Sequence, residues 1–149
     1  AATHDDLPAV LAVLRPIFAE GRTYTVPPDA DDAWVTRMWM LPPPARVVVA
    51  VRDGRVVGTA KTGPNQAGPG SHVATASFAV EAGEAGRGTG RALGEHVLAL
   101  ARALAREQRG GHALRRGQRG HLVDLLPSVR VRFASHSAKG QHPLGRRGH

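Results

Sequence analysis

Apolar residues recur along the first two thirds of the chain with two different periods, and each change of period marks an element. In DDLPAVLAVLRPIFAEG, Leu7, Val10, Leu11, Leu14, Ile17 and Phe18 fall on one stripe at helical spacing. Asp5 and Asp6 stand where an N-cap is wanted, Pro8 suits a first turn, and Gly21 closes the run. A second, shorter helix is predicted over 30–40, stopped by Pro42-Pro43-Pro44. ARVVVAV (45–51) is β-branched and apolar, Asp53-Gly54 is a two-residue turn, and RVVGTAKTG (55–63) runs back, so this stretch predicts a hairpin. GPNQAGPGS (63–71) reads as a loop and HVATASFAV (72–80) as a strand, apolar at Val73, Phe78 and Val80. A long helix is predicted from Arg87 to about Gln108, with Leu93, Val97, Leu100 and Leu104 on one face and His96 on its flank.

After Gln108 the periodicity stops. The last 41 residues hold seven glycines and only two short apolar patches, HLVDLL and VRVRF. A strand over 128–133 and a helical or strand piece over 122–126 are the elements they allow. Few large apolar groups leave little burial to offset an ordering cost of about 1–2 kcal/mol per residue, so this segment should pack less well than the body. Should one of these pieces form a strand, the open edge beside strand 72–80 is the place expected for it.

Charge divides the chain at the same point. Residues 1–108 balance eleven basic groups with eleven acids, whereas residues 109–149 carry nine basic groups and one acid, Asp124. The division is into 1–108 as the body and 109–149 as a basic Gly/Arg/His-rich segment. The net charge of +8 raises nucleic-acid binding, but that segment has no aromatic for stacking apart from Phe133 and reads as non-specific charge. No cysteine is present, which excludes disulfides, thiolate metal sites and a cysteine nucleophile within these residues. No run of about 18 apolar residues occurs, and a soluble, cytoplasmic protein without a membrane partner is expected. No spacing of His, Asp and Glu suggests a metal.

EAGEAGRGTGRALGEHVLAL (81–100) places Gly86, Gly88 and Gly90 at every second position before the long helix. Such glycines let backbone N–H groups approach a ligand, and the helix start adds partial positive charge, which together suit a phosphate. Arg87 and Arg91 flank the loop and Thr89 offers a hydroxyl. A Walker loop would need Lys-Ser/Thr where Arg91-Ala92 stands, and a dinucleotide fingerprint would need a glycine three residues after the second. A flexible turn before a helix is the alternative reading.

The strand ending FAV, the run GRGTGRAL and the amphipathic helix resemble the acetyl-CoA site of the GCN5-related N-acetyltransferases. The family loop, Gln/Arg-x-x-Gly-x-Gly/Ala, lands on Ala85, Gly86, Arg87, Gly88, Thr89 and Gly90, matching the two final glycines and departing at Ala85. The resemblance covers about residues 3–108. EGRTYTVPPD with KTGPNQAGPGSHVATASF looks closest to a bacterial subgroup akin to the azetidine-2-carboxylate acetyltransferase. It implies a mixed α/β acyl-CoA N-acyltransferase fold with an atypical C-terminal part. It also implies transfer of an acetyl group from acetyl-CoA to the amine of a small molecule or amino acid, by direct attack. A domain that binds CoA without turnover is the other reading.

By the same resemblance, acetyl-CoA would lie along the backbone of Phe78, Ala79 and Val80 and on residues 86–92, including Arg91 and Ala92. A strand N–H there would polarise the thioester carbonyl. Glu81 stands where some members keep a base; a solvated turn charge is its other reading. His72, placed by pattern at the start of the same strand, has a pKa suited to proton transfer but equally suits a surface cap. Tyr24, the one tyrosine, sits where the family places substrate-facing groups and is the one phenolic acid, or else a packed aromatic. Asn65, the one asparagine, and Thr75 are further candidates for the acceptor, although turn chemistry alone would explain Asn65. A homodimer is left open. Residues 109–149 lack the family's fifth strand, its Leu-Gly-Phe signature and its substrate asparagines. A GC-rich coding sequence read out of frame after about residue 109 would produce this, as would a basic extension on a shortened domain.

Overall fold

A computed structural model describes residues 5–27, 29–110, 123–126 and 129–134. The order is α1 (Leu7–Ala19), α2 (Asp32–Trp39), β1 (Arg46–Arg52), β2 (Arg55–Pro64), β3 (Ala74–Val80), α3 (Thr89–Gly110), β4 (Val123–Leu126) and β5 (Val129–Phe133). Short 3-10 turns at Gly68–His72 and Ala82–Glu84 flank β3. The architecture is the mixed α/β one expected, with α1 and α2 on one face of an antiparallel sheet and α3 on the other.

The two faces follow from the alternation of the central strands. Val47 and Val49 of β1 join Val10, Leu14 and Trp39 beneath α1 and α2. Val48 and Ala50 join Leu93 and Val97 beneath α3. Trp39 is fully buried, and its indole N–H donates to the Thr59 hydroxyl at 3.1 Å, which in turn donates to Val48 O at 2.9 Å. The polar atoms that this aromatic carries inward are thereby satisfied. At the hairpin, Asp53 and Gly54 both take positive φ (49° and 76°), as a type I′ turn requires. Gly58 of β2 lies where a Cβ would stand 3.1 Å from the Leu93 side chain and 3.3 Å from that of Thr89, so the absence of a side chain lets α3 settle on the sheet.

Three expectations need correction. Strand β3 begins at Ala74, and His72 belongs to the preceding 3-10 turn, its Nδ1 2.8 Å from Pro69 O. His96 is a core residue: it is buried, its ring meets Phe133 edge-on at 6.3 Å, and its Nε2 has no hydrogen-bond partner among the described residues. Burial holds its pKa below the ordinary histidine value, so the ring is neutral at neutral pH.

The third concerns the C-terminal strands. The sheet order is β3-β2-β1-β5-β4, so the hairpin of β4 and β5 docks on β1, at the edge opposite β3. The reason lies in the alternation of VRVRF. Val129 and Val131 bury completely against the α3 side, while Arg132 turns to the other face and meets Asp6. Asp6 is itself fully buried at the start of α1 and takes both guanidinium nitrogens of Arg132, at 2.5 and 2.7 Å. Among the described residues the β3 edge has no buried acid placed to receive Arg132, and the outward residues there, such as Phe78, remain exposed. Phe133 packs inward and is not a stacking platform. Residues 111–122 and 135–149, with the expectations that fall on them, lie outside the described residues.

Arg132→Ala should therefore loosen more than the terminal hairpin, because it leaves the Asp6 carboxylate buried without its bidentate partner. The expected loss is about 1–3 kcal/mol in urea unfolding, with Arg102→Ala on the exposed side of α3 much closer to wild type. Equal effects of the two variants would show that the Asp6 pairing does not hold β5.

Candidate active site

Two backbone hydrogen bonds fix which groups of β3 face outward. Glu81 N–H donates to Val57 O and Asn65 N–H donates to Val73 O, one at each end of the β2–β3 ladder. Between them the register pairs Thr59 with Ala79, Lys61 with Ser77 and Gly63 with Thr75. Paired residues in an antiparallel ladder alternately exchange both bonds or neither. The odd-numbered residues of β3 thus bond β2, and Ala76, Phe78 and Val80 direct N–H and C=O away from the sheet. Of the three residues proposed for the thioester, Phe78 and Val80 face outward, whereas Ala79 faces β2 and is buried. Since β5 docks elsewhere, this edge is unpaired among the described residues.

Tyr24 reaches the same edge. Its hydroxyl donates to Phe78 O at 2.5 Å, and its ring packs edge-on against Phe18 at 5.3 Å and Trp39 at 5.9 Å. Burial raises its pKa above the ordinary phenol value, so the proton stays on the oxygen and holds the outward carbonyl.

The glycine turn is set from beneath by an ion cluster that joins residues far apart in the sequence. Glu84 is buried, and its carboxylate accepts from Thr89 Oγ1 at 2.7 Å, from Arg52 Nε at 3.0 Å and from Arg87 Nη1 at 3.1 Å. Arg52, also buried, reaches Arg87 O at 3.2 Å and Thr89 Oγ1 at 3.3 Å. The Thr89 hydrogen bond and the Arg52 guanidinium hold the Glu84 carboxyl below the usual carboxylate range. The Thr89 hydroxyl is therefore committed inward and does not face a ligand. A signal existed in the pairing of an arginine at the hairpin end with a glutamate among glycines. Nothing local links two residues 32 positions apart.

Gly86 and Gly88 take positive φ, 72° and 82°, which lets the chain reverse into α3. Arg87 N–H bonds Glu84 O, and Ala92 N–H makes the first helical bond, to Gly88 O. The amides that precede it, those of residues 88–91, carry the unsatisfied donors of a helix start. The set 86–92 thus narrows to four amides, flanked by the Arg87 and Arg91 side chains. Arg91 is largely exposed and pairs with Glu95 at 2.8 Å.

The remaining candidates separate. Glu81 follows β3 and pairs with Arg55, whose Nη1 stands 2.7 and 2.6 Å from its two oxygens. His72 lies before the other end of the seven-residue strand, so the two stand on the order of 20 Å apart along it and do not act on one bond. Asn65 and Thr75 come together in a cavity of about 650 Å³ between the Pro42–Pro44 segment, the end of β2 and the start of β3. Ser77 lies at its rim, one residue from the outward Phe78.

Comparison with known proteins agrees with this geometry. The profile of the Acetyltransferase (GNAT) family matches residues 11–111. A GCN5-related N-acetyltransferase from Kribbella flavida is 43% identical over 68% of this chain and 62% of its own, with a TM-score of 0.64. The match thus spans under two thirds of that protein. A ribosomal-protein-alanine N-acetyltransferase from Brucella melitensis is 24% identical over 89% of this chain and 94% of its own, with a TM-score of 0.52. The yncA protein of Salmonella typhimurium, solved with its cofactor acetyl-CoA, is 19% identical over 92% of this chain and 94% of its own, with a TM-score of 0.50. No curated protein matches the sequence. With the open β3 edge, the glycine turn and α3 all inside the matched span, the chain belongs to the GCN5-related acetyltransferase family.

Proposed function

We propose that the protein is an N-acetyltransferase that takes its acetyl group from acetyl-CoA and gives it to the amine of a small molecule. The observation that carries this reading is the adjacency of two sets of unsatisfied backbone donors. Phe78 and Val80 direct N–H groups off the edge of β3, and the amides of 88–91 open on the turn that follows. An extended thioester chain with a pyrophosphate at one end needs that combination: strand-like bonds along its length and amides without side chains at its anion. The residues present therefore fit acetyl-CoA, which would supply an activated acetyl group.

In this reading Phe78 or Val80 N–H donates to the oxygen that gains negative charge, a preorganised donor of the kind that contributes most to acyl transfer. Tyr24 holds the strand by its bond to Phe78 O. The acceptor nitrogen, approaching from the cavity beside Ser77, would form its bond to the acetyl carbon as the carbon–sulfur bond breaks, and the proton that the nitrogen sheds on acylation would go to the departing sulfur. Glu81, paired with Arg55 just past β3, would serve as the base and take the ammonium proton by way of a water. The finer likeness to an azetidine-2-carboxylate acetyltransferase belongs to this proposal as well.

Two measurements test it. Calorimetry should show acetyl-CoA binding that Gly90→Val weakens at least tenfold while Gly94→Ala does not. An added Cβ at Gly90 meets only Val80, at 4.0 Å, and one at Gly94 meets nothing, so both variants should fold and only the first should crowd the ligand's amides. Equal binding by both would place acetyl-CoA elsewhere. Thiol release with a panel of amines should be amine-dependent, and Glu81→Gln should lower kcat with little change in the KM for acetyl-CoA. Binding without release under any acceptor would leave a CoA-binding domain instead.

A further inference from the structure

The cavity at the N-terminal end of β3 carries a charge that acetyl transfer to a simple amine does not call for. Its walls are chiefly apolar, from Leu41, the Pro42–Pro44 segment, Ala45 and Pro64, with the neutral polar groups of Asn65, Gln66 and Thr75 among them. Lys61, on β2 opposite Ser77, is the one charged residue in this lining. Its ammonium donates to Met38 O at 2.6 Å, contacts Met38 Sδ at 3.3 Å and sits 5.2 Å from the centre of the Trp39 ring. An ammonium has three protons, and the Met38 carbonyl takes one. Among the described residues no carboxylate pairs with it, whereas Arg15, Arg52, Arg55, Arg87, Arg91 and Arg132 each have an acidic partner.

A half-buried cation without a counter-ion is costly to keep charged, and burial pulls the Lys61 pKa below the ordinary lysine value. A simple amine would add a second positive charge to a cavity with no acid in its lining. A ligand bearing a carboxylate would supply the missing counter-ion. One point charge suits a carboxylate better than a phosphate, which proteins hold with several cations or a nest of amides. The space suits a small molecule, lying within the roughly 300–1,000 Å³ of ordinary ligand pockets.

We infer that Lys61 is a specificity-determining residue that binds the acceptor's carboxylate, so that the preferred acceptors are aliphatic amino acids, with the amine directed past Ser77 toward Phe78. Lys61 pairs with Ser77 across the ladder, so the cavity it lines runs beside the strand residue next to Phe78. This inference rests on the acetyltransferase reading for the reaction, but the carboxylate site stands on the cavity alone.

The test compares the twenty L-amino acids with their C-terminal amides, as acceptors in thiol release and as ligands in a tryptophan-fluorescence titration, since Trp39 lies beside Lys61. Wild type, Lys61→Met and Lys61→Arg are measured after confirming equal melting temperatures. At least one acid should exceed its amide tenfold or more in kcat/KM. Lys61→Met should raise the KM for that acid at least tenfold and leave the Kd for acetyl-CoA unchanged, and Lys61→Arg should restore most of the preference. Acids and amides used equally, or a Lys61→Met effect common to both, overturns the inference while leaving the acetyltransferase reading intact. Lys61-dependent binding of an acid without acetyl transfer supports the carboxylate site and overturns the reaction. Neither binding nor preference for any acid overturns the site.

Discussion

Glu84 is the residue on which the geometry of the site turns. Its carboxylate lies buried between the end of β1, the glycine turn and the first residue of α3, and it is held by Arg52, Arg87 and Thr89 at once. One buried carboxylate held by partners from all three elements ties them together, so they do not drift apart separately. The backbone amides of 88–91 open a helix whose first turn is anchored inward by Thr89, with glycines on either side of it. Thr89 gives up any direct role toward a ligand to secure the residues on either side of it. Gly58 completes the arrangement by letting Thr89 and Leu93 approach the sheet more closely than a side chain would permit.

The sheet shows the same economy at its two edges. At the β1 edge, β5 brings two valines for the core beneath α3 and an arginine for Asp6, and the edge closes. At the β3 edge the outward groups stay open, and Tyr24 secures a single carbonyl there. An exposed strand edge invites pairing with another chain unless something occupies it. In an acyltransferase the acyl donor itself would be the occupant, adding strand-like bonds to Phe78 and Val80. The C-terminal strands leave that edge free by taking the opposite one.

How much of this could be read from residues alone depended on the range of the interaction. Helices α1 and α3 and the β1–β2 hairpin are written in local periods, and Asp53-Gly54 announces its turn within two residues. The glycine spacing and the match at Gly88 and Gly90 point to the turn that opens α3 and to the family. What local pattern did not carry was partnership across distance. His96 reads as a flank residue because one helix gives no notice that Phe133 will cover it. Lys61 reads as a polar break in an apolar strand, and its meaning depends on a cavity built by the proline run before β1. The edge taken by VRVRF depends on the buried acid at Asp6, 126 residues away from Arg132, which no local pattern announces.

The alternation along β3 is the claim on which the functional account stands, and amide exchange followed residue by residue, with and without acetyl-CoA, tests it most directly. Ser77 and Ala79, which face β2, should exchange slowly in both states. Phe78, Val80 and the amides of 88–91 should exchange fast in the free protein and slow markedly when acetyl-CoA is added. Protection gained equally by both parities of β3, or gained elsewhere with Phe78 and Val80 unchanged, would contradict the account.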